Sequence, residues 1–406
     1  MKRGLALLAG AFLIAAVASA APVTLKIMHW QPQFTDQFKA MGAAFTKQFP
    51  DITIDFEIQS ADYNTILKTR LNSGDIPDVF MYNPYSGNKV IAEYALDLSN
   101  EPFIKNIYES VLFGSTYQGK VIGTPTLLEA FSFIYNKDMF QKVGVKTLPR
   151  TLSGLEEVCK KLQAAGITPF SNGYKEWWLF QHIWSDVLAA ENTDFNRTIA
   201  DLNAGKSFGS LRTMSKMFDL VDLTVKYGAP KPLETGWEEE EAALANGKVA
   251  MIHMGTWAET NILKTNPNLK MGFLPAPVGE DPAMARLMID TAYHWVVYKD
   301  GKNVDAAKKW LNWLITSDYG RTFGPKELKE TSAVKGAPTA DAQLTKEAAA
   351  FLAKKETAPW IFNLWPEGFA EQEGIIFQAY AGKAKTRQQA IAELDQNWKK
   401  LSQAAN

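Results

Sequence analysis

Carboxylates, histidines and tryptophans are the residues of this chain that could do chemistry, and their spacing narrows what that chemistry is. His29, His182, His253 and His294 stand singly; none forms an HxH or HExxH pattern or pairs with a cysteine at metal-ligand spacing, so no metal site is expected. No GxSxG elbow, Walker loop or GxGxxG fingerprint occurs, and no cofactor is expected. A glycosidase needs two carboxylates that meet in space rather than in sequence, and Glu129, Glu238 and Asp290 are the first candidates. Glu238 opens the run to Glu241, which reads more simply as the solvated first turn of a helix, four acids facing the positive end of its dipole. Twelve tryptophans exceed what a core ordinarily uses, and several stand beside Gly, Pro or polar residues in expected loops.

The elements that would position these groups follow from periodicity. Val23, Leu25 and Ile27 alternate with polar neighbours as in a half-buried strand, and Phe34, Phe38, Met41, Phe45 and Phe49 share one helix face. Ile52, Ile54, Phe56 and Ile58 alternate again, which predicts a βαβ unit with a largely parallel sheet. Asp62 is expected to cap a helix to about Asn72; the turn Gly74 to Asp78 stops it, and Val79 to Tyr82 resumes a strand. Ligands of open α/β sheets bind beyond the carboxyl ends of strands, which singles out His29-Trp30-Gln31 and Tyr82-Asn83. From about Leu152 to Leu223 the pattern is mostly helical, broken by the loop that holds Trp177 and Trp178; Gly236-Trp237 opens a helix that Asn246-Gly247 ends before a strand from Lys248 to His253. Cys159 reads as a small buried apolar side chain.

Composition sets the class. Lys2 and Arg3, the apolar run from Leu5 to Val17 and Ala18-Ser19-Ala20 read as an export signal cleaved after Ala20; the run is too short to span a bilayer, and no cysteine follows to carry a lipid. The expected compartment is the periplasm, with secretion from a one-membrane cell as the alternative. Loss of residues 1–20 leaves 386 residues and moves the formal net charge from -1 to -3, which gives no electrostatic reason to expect nucleic acid or an anionic membrane as partner. That length divides naturally into two lobes, and a single cysteine excludes an internal disulfide.

The segments GDIPDVFMYNP (Gly74 to Pro84), LLEAFSFIYNKDMF (Leu127 to Phe140) followed by TLPRTLSGLEEV, and ANGKVAMIHMGTW (Ala245 to Trp257) resemble the extracellular solute-binding protein family 1 of bacterial ABC sugar importers. The helix Ala306 to Gly320 and the closing Ala379 to Trp398 resemble the same family, so the similarity spans nearly the whole mature chain. The resemblance implies the α/β, two-lobed periplasmic binding protein fold of class II type, with three hinge crossovers and the ligand in the cleft. Lobe I would comprise residues 22–130 plus 290–335, and lobe II residues 131–289 plus 336–406. It implies a monomeric, non-enzymatic receptor that takes a carbohydrate and delivers it to ABC permease subunits.

A neutral sugar presents flat C–H faces and a rim of hydroxyls, so its site combines aromatic rings with hydrogen-bonding side chains. By resemblance, Trp257 is the stacking indole of a Gly-x-Trp motif, Tyr82 the aromatic after the first-lobe strand, and Glu129 the glutamate before the first crossover. Ligand contact is balanced against plain packing for Tyr82 and against a solvated hinge contact for Glu129. One of Trp177 and Trp178 would face the cleft, with Trp177 chosen; Trp237 would line it too. Trp30, Gln31 and Asn83 would offer edges and polar groups, and Asp290 is either a ligand contact or a turn residue. Trp365 is chosen over Phe369 as a further stacking aromatic. The competing readings are a polyol or glycerophosphodiester receptor and a secreted glycoside hydrolase.

Overall fold

The structure, a computed structural model, describes residues 22–59, 62–191 and 195–404. The expected signal segment and its cleavage site lie outside the described residues.

Three parallel strands begin the chain, β1 (Val23–His29), β2 (Ile52–Ile58) and β3 (Val79–Tyr82), with β1 paired to both others. The helix Thr35–Gln48 joins β1 to β2 and buries Phe38, Met41 and Phe45 on one face, as their spacing requires. Before the helix Tyr63–Ser73, Asp62 occupies the cap position but sits in the left-handed region at φ 55°, and its side chain makes no capping hydrogen bond. The expected side-chain cap is therefore replaced by a backbone turn. A short hairpin, β4 (Thr116–Tyr117) with β5 (Lys120–Val121), precedes the long strand β6 (Leu127–Asn136).

The remaining strands are β7 (Thr168–Phe170), β8 (Val249–Gly255), β9 (Met271–Leu274), β10 (Leu287–Asp290), β11 (His294–Val297), β12 (Thr331–Ser332) and β13 (Thr357–Ala358). Among the described residues they divide between two sheets. One runs β11-β3-β1-β2; the other runs β13-β10-β6-β8-β7, with β9 and β12 also paired to β6. The chain thus leaves the first sheet after Thr124, whose backbone pairs with Trp295, and enters the second at Leu127. It returns between Asp290 and His294. It leaves again after Lys335, whose N–H donates to Asn106, to reach the helix Gln343–Ala353 against β9.

Strand β6 ties these passages together. Its first residues Leu127 and Leu128 pair with β12, and Glu129 to Phe131 pair with β10. Further along, it lies between β8 and β9. Behind this sheet the helix Trp178–Leu188 is buried almost all round, with His182, Ser185 and Asp186 among its covered residues, and is packed by the helix Phe369–Ala381, which is the setting of a core helix. Cys159 is fully buried on the helix Leu152–Ala164.

The acidic run at 238–241 is not simply a solvated helix start. Glu239 accepts from the Gly236 N–H at 3.0 Å, a capping contact, but Glu240 and Glu241 are buried. Glu240 accepts from the Gly173 N–H at 2.6 Å and Glu241 from the Asn261 amide at 3.2 Å. Burial raises both carboxyls well above the usual carboxylate range.

Candidate functional site between the two sheets

Five side-chain contacts join segments anchored in different sheets. Beyond β1, the Gln31 amide donates to Glu129 on β6 at 3.3 Å. Beyond β3, the Tyr82 hydroxyl lies 3.4 Å from Glu367, which also pairs with Lys68 of the helix Tyr63–Ser73 at 2.5 Å. Ser86 donates to the Asn363 carbonyl at 2.8 Å, and the Tyr85 hydroxyl reaches Asp290 at 3.4 Å. The two sheets therefore meet along a closed seam.

On the first side, the half-buried Trp30 ring meets Tyr63 and Tyr293 in edge geometry, with centroids 4.9 and 5.7 Å away. Asn83 is half-buried in the turn between Tyr82 and Tyr85. On the second side, His182 is the centre of an aromatic cluster. It stacks on Phe131 at 4.4 Å and meets Trp178, Trp257, Phe362 and Trp360 at 5.3 to 5.9 Å. Burial lowers its pKa, so the ring is neutral and packs as an aromatic.

Trp257 follows β8 in the short turn Thr256–Ala258 and is 9% exposed. Its six-membered ring lies back over Gly255, where a Cβ would come within 2.1 Å of it; only glycine admits that approach. The Trp360 backbone N–H donates to Asp290 at 3.2 Å, and Asp290 also accepts from its neighbour Thr291. Burial pushes Asp290 up to about 6 against the pull of these donors. Several buried polar atoms at the seam have no protein partner: both side-chain polar atoms of Asn363, the Trp360 indole N–H and His182 Nδ1. Leaving such groups unsatisfied is costly, and a hydroxyl-rich ligand offers the missing donors and acceptors.

Near the crossings lies a buried pair of acids. Glu129, 4% exposed, and Glu330, fully buried, are both raised by burial, and Glu330 further by Glu129 and Glu259. Glu129 is also the cross-strand partner of Asp290, so two of the three candidate glycosidase carboxylates are neighbours. Asp290 is committed to three donors and Glu129 to Gln31, an arrangement for holding position rather than moving protons.

The structure does not bring all the expected residues together. Trp365 is 1% exposed and packs on Trp184, Phe369 and Phe362 at 5.4 to 6.4 Å. It is a core tryptophan, because the turn Ile361–Leu364 carries Trp360 and Phe362 to the seam and returns Trp365 to the helices. Trp178, not Trp177, meets His182; the Trp177 backbone carbonyl lies against Gly374 of the helix Phe369–Ala381, where a Cβ would come within 2.4 Å of that oxygen. Trp237 is half-buried and, among the described residues, makes no ring contact with Trp257. Tyr85, His182, Trp360, Asn363 and Glu367 were not expected at the site from the sequence, and of the expected pair Trp178 takes the place of Trp177. The one local cue was a proline immediately before Tyr85 and before Trp360, which marks a break beside a strand end.

Two α/β bodies joined by three passages, with aromatic and polar side chains converging between them, define a two-lobed binding protein. A family model for bacterial extracellular solute-binding proteins matches residues 31–321, and the chain belongs to that family; it is a binding protein, not an enzyme. An uncharacterized ABC transporter extracellular-binding protein of Pyrococcus horikoshii is 28% identical over 320 residues, covering 74% of this chain and 70% of the relative. The melibiose/raffinose/stachyose-binding protein MelE of Bacillus subtilis is 21% identical over 383 residues, covering 90% and 86%. The solved structure of the solute-binding protein RafE in complex with raffinose superposes with a TM-score of 0.81 at 21% identity, covering 94% of this chain and 100% of that one.

Proposed function

We propose that this protein is the periplasmic receptor of an ABC importer, capturing an oligosaccharide in the seam between its lobes and handing it to the permease subunits as a monomer. The observation that carries this reading is the convergence of Trp257, Trp360 and Trp178 on His182, with the unpartnered polar atoms of Asn363 next to Phe362 of the same cluster, a set suited to C–H faces and hydroxyls together. The names of the relatives support it, since MelE is named for melibiose, raffinose and stachyose, and RafE holds raffinose. Within the expected site, Trp30, Gln31, Tyr82, Asn83, Glu129, Trp257 and Asp290 remain the proposed contacts, Trp237 a rim position, and Trp178 takes the place of Trp177. The leader is proposed to be removed after Ala20.

The test is a thermal-shift and calorimetric screen over melibiose, raffinose, stachyose, maltodextrins and chitin oligosaccharides. A ligand that binds only the folded state raises its melting temperature. A shift with intact sugar recovered is the expected result, and no shift with any carbohydrate sinks the reading.

Closure is proposed to swing lobe I, about residues 22–130 plus 290–335, against the remainder, although the pairing of Leu127 to Ala130 assigns that short piece to the second sheet. Small-angle scattering is expected to give a smaller radius of gyration with saturating sugar; an unchanged profile argues against hinge closure. Glu367 is proposed as a latch because it holds Lys68 and Tyr82 of the opposite lobe. Both partners of the ion pair are about one-third exposed, so solvent weakens it. Glu367→Gln is expected to weaken sugar binding by about twofold to fivefold, read by calorimetry, with the melting temperature of the free protein little changed.

A further inference from the structure

Phe113 is 75% exposed, the most exposed of the large hydrophobic side chains among the described residues. A lone exposed phenylalanine is ordinary; the residues around this one are not. Its ring meets Tyr85 edge-on with centroids 6.3 Å apart. Tyr85 holds a left-handed backbone at φ 60°, a region that is costly for a bulky side chain and that clusters at ligand sites. The next residue after Phe113, Gly114, lies beneath the Tyr85 ring, and a Cβ there would come within 2.7 Å of it. The Gly114 carbonyl is pinned by the buried Asn88 amide at 2.9 Å. Two strained or tightly fitted positions thus hold the pair of rings in place, and the far end of Tyr85 reaches Asp290 in the seam.

We infer that Tyr85 and Phe113 form an aromatic step outside the closed seam that takes a further sugar ring of an oligosaccharide projecting from it. This rests on the carbohydrate reading above and deepens it: the ligand is longer than the part the lobes enclose, and Phe113 sets the preference for length. The step is continuous with the cleft through Tyr85, Asp290 and Trp360. Its size also fits one pyranose ring rather than a protein surface. A stable protein interface buries about 800 Å² on each partner, whereas here one strongly exposed ring stands with the half-exposed Tyr108 as the only other exposed large hydrophobic of its segment. An aromatic face stacking on the C–H face of a sugar needs no charge nearby.

The test measures affinities of wild type, Phe113→Ala and Phe113→Trp for sugars of increasing length within each series: melibiose, raffinose and stachyose; maltose to maltohexaose; chitobiose to chitohexaose. Melting temperatures show that each variant folds, as expected for an exposed position. For the series that binds, Phe113→Ala is expected to leave the shortest binding sugar within about twofold and to weaken the longest by about fivefold or more, with Phe113→Trp retaining the length preference. Equal loss at every length, or no loss at any, overturns the inference and leaves the carbohydrate reading standing. So does a protein that binds only its shortest sugar. Intact affinity with uptake lost in cells would assign Phe113 to contact with the permease instead, and also overturns it. Binding of no sugar at all overturns this inference and the proposed function together.

Discussion

Trp257→Ala is expected to cost roughly 1–3 kcal/mol of sugar affinity, about tenfold or more, while leaving the protein folded. The indole lies at the edge of the His182 cluster, beside Trp360, and is slightly exposed even with the seam closed. Its N–H points back to the Met254 sulfur at 3.1 Å, so the ring is held by its own strand end rather than by the middle of the core. The competing outcome is equally definite. If the ring serves only to pack over Gly255, truncation removes little affinity and about 3–5 kcal/mol of stability, the usual loss for a core tryptophan. Calorimetry with the sugar and denaturant unfolding of the free protein, both on the one variant, separate the two.

The second large effect is on pH. Burial raises Glu129 and Glu330 above the ordinary value of 4.5, and their mutual repulsion adds to this for Glu330. The native protein therefore holds protons that the unfolded chain releases above about pH 4.5. Stability contributed by the neutral pair is complete below that pH and falls as pH rises toward the native values. Each unit of upward displacement is worth about 1.4 kcal/mol. Denaturant unfolding is expected to show greater stability at pH 5.5 than at pH 8, and Glu129→Gln, which mimics the protonated acid, is expected to flatten part of that slope and to stabilise most at pH 8. Glu240, Glu241 and Glu373 are buried with shifts of the same sign and leave a residual slope, while His29, His182 and His294, whose pKa values burial lowers, oppose it as pH falls below about 6.5, where the unfolded chain's histidines take up protons. A Glu129→Gln protein less stable than wild type at pH 8 would mean that the charged form of Glu129 holds the crossings together.

The alternation of Val23 to Ile27 and the spacing of Phe38, Met41 and Phe45 were legible because each element buries one face, and burial leaves its period in the sequence. Asn246-Gly247 was legible for a local reason, Gly247 at φ 67° ending a helix. The seam was legible where it touches strand ends, at Trp30, Gln31, Tyr82, Asp290 and Trp257, and near the start of β6 at Glu129. Tyr85, Trp360 and Glu367 sit in turns or breaks whose partners lie far off along the chain, up to 299 residues away for Glu367 and Lys68, and no local pattern records a contact of that kind. Adjacent tryptophans defeat the same method. Trp177 and Trp178 differ in which neighbour they meet only because the helix begins between them, and Trp365 differs from Trp360 only by the sense of one short turn. The charge run at 238–241 misled because a helix start explains acids without saying which face is covered.

The interleaving of the two sheets along the chain also sets the order in which the protein can be built. The first sheet lacks its edge strand β11 until residue 297 exists, and the second sheet lacks β10, β12 and β13 until 287 to 358 have been made. Neither lobe can finish its hydrogen-bonded ladder from its amino-terminal portion, and both depend on pairings of long sequence separation, which form slowly. A nascent chain that stops short of β10 at residue 287 is therefore still an open thread with incomplete edges. For a member of an extracellular binding-protein family, that delay leaves an unfinished chain without its completed sheets, and makes late strands such as β11 the steps that commit it to its shape.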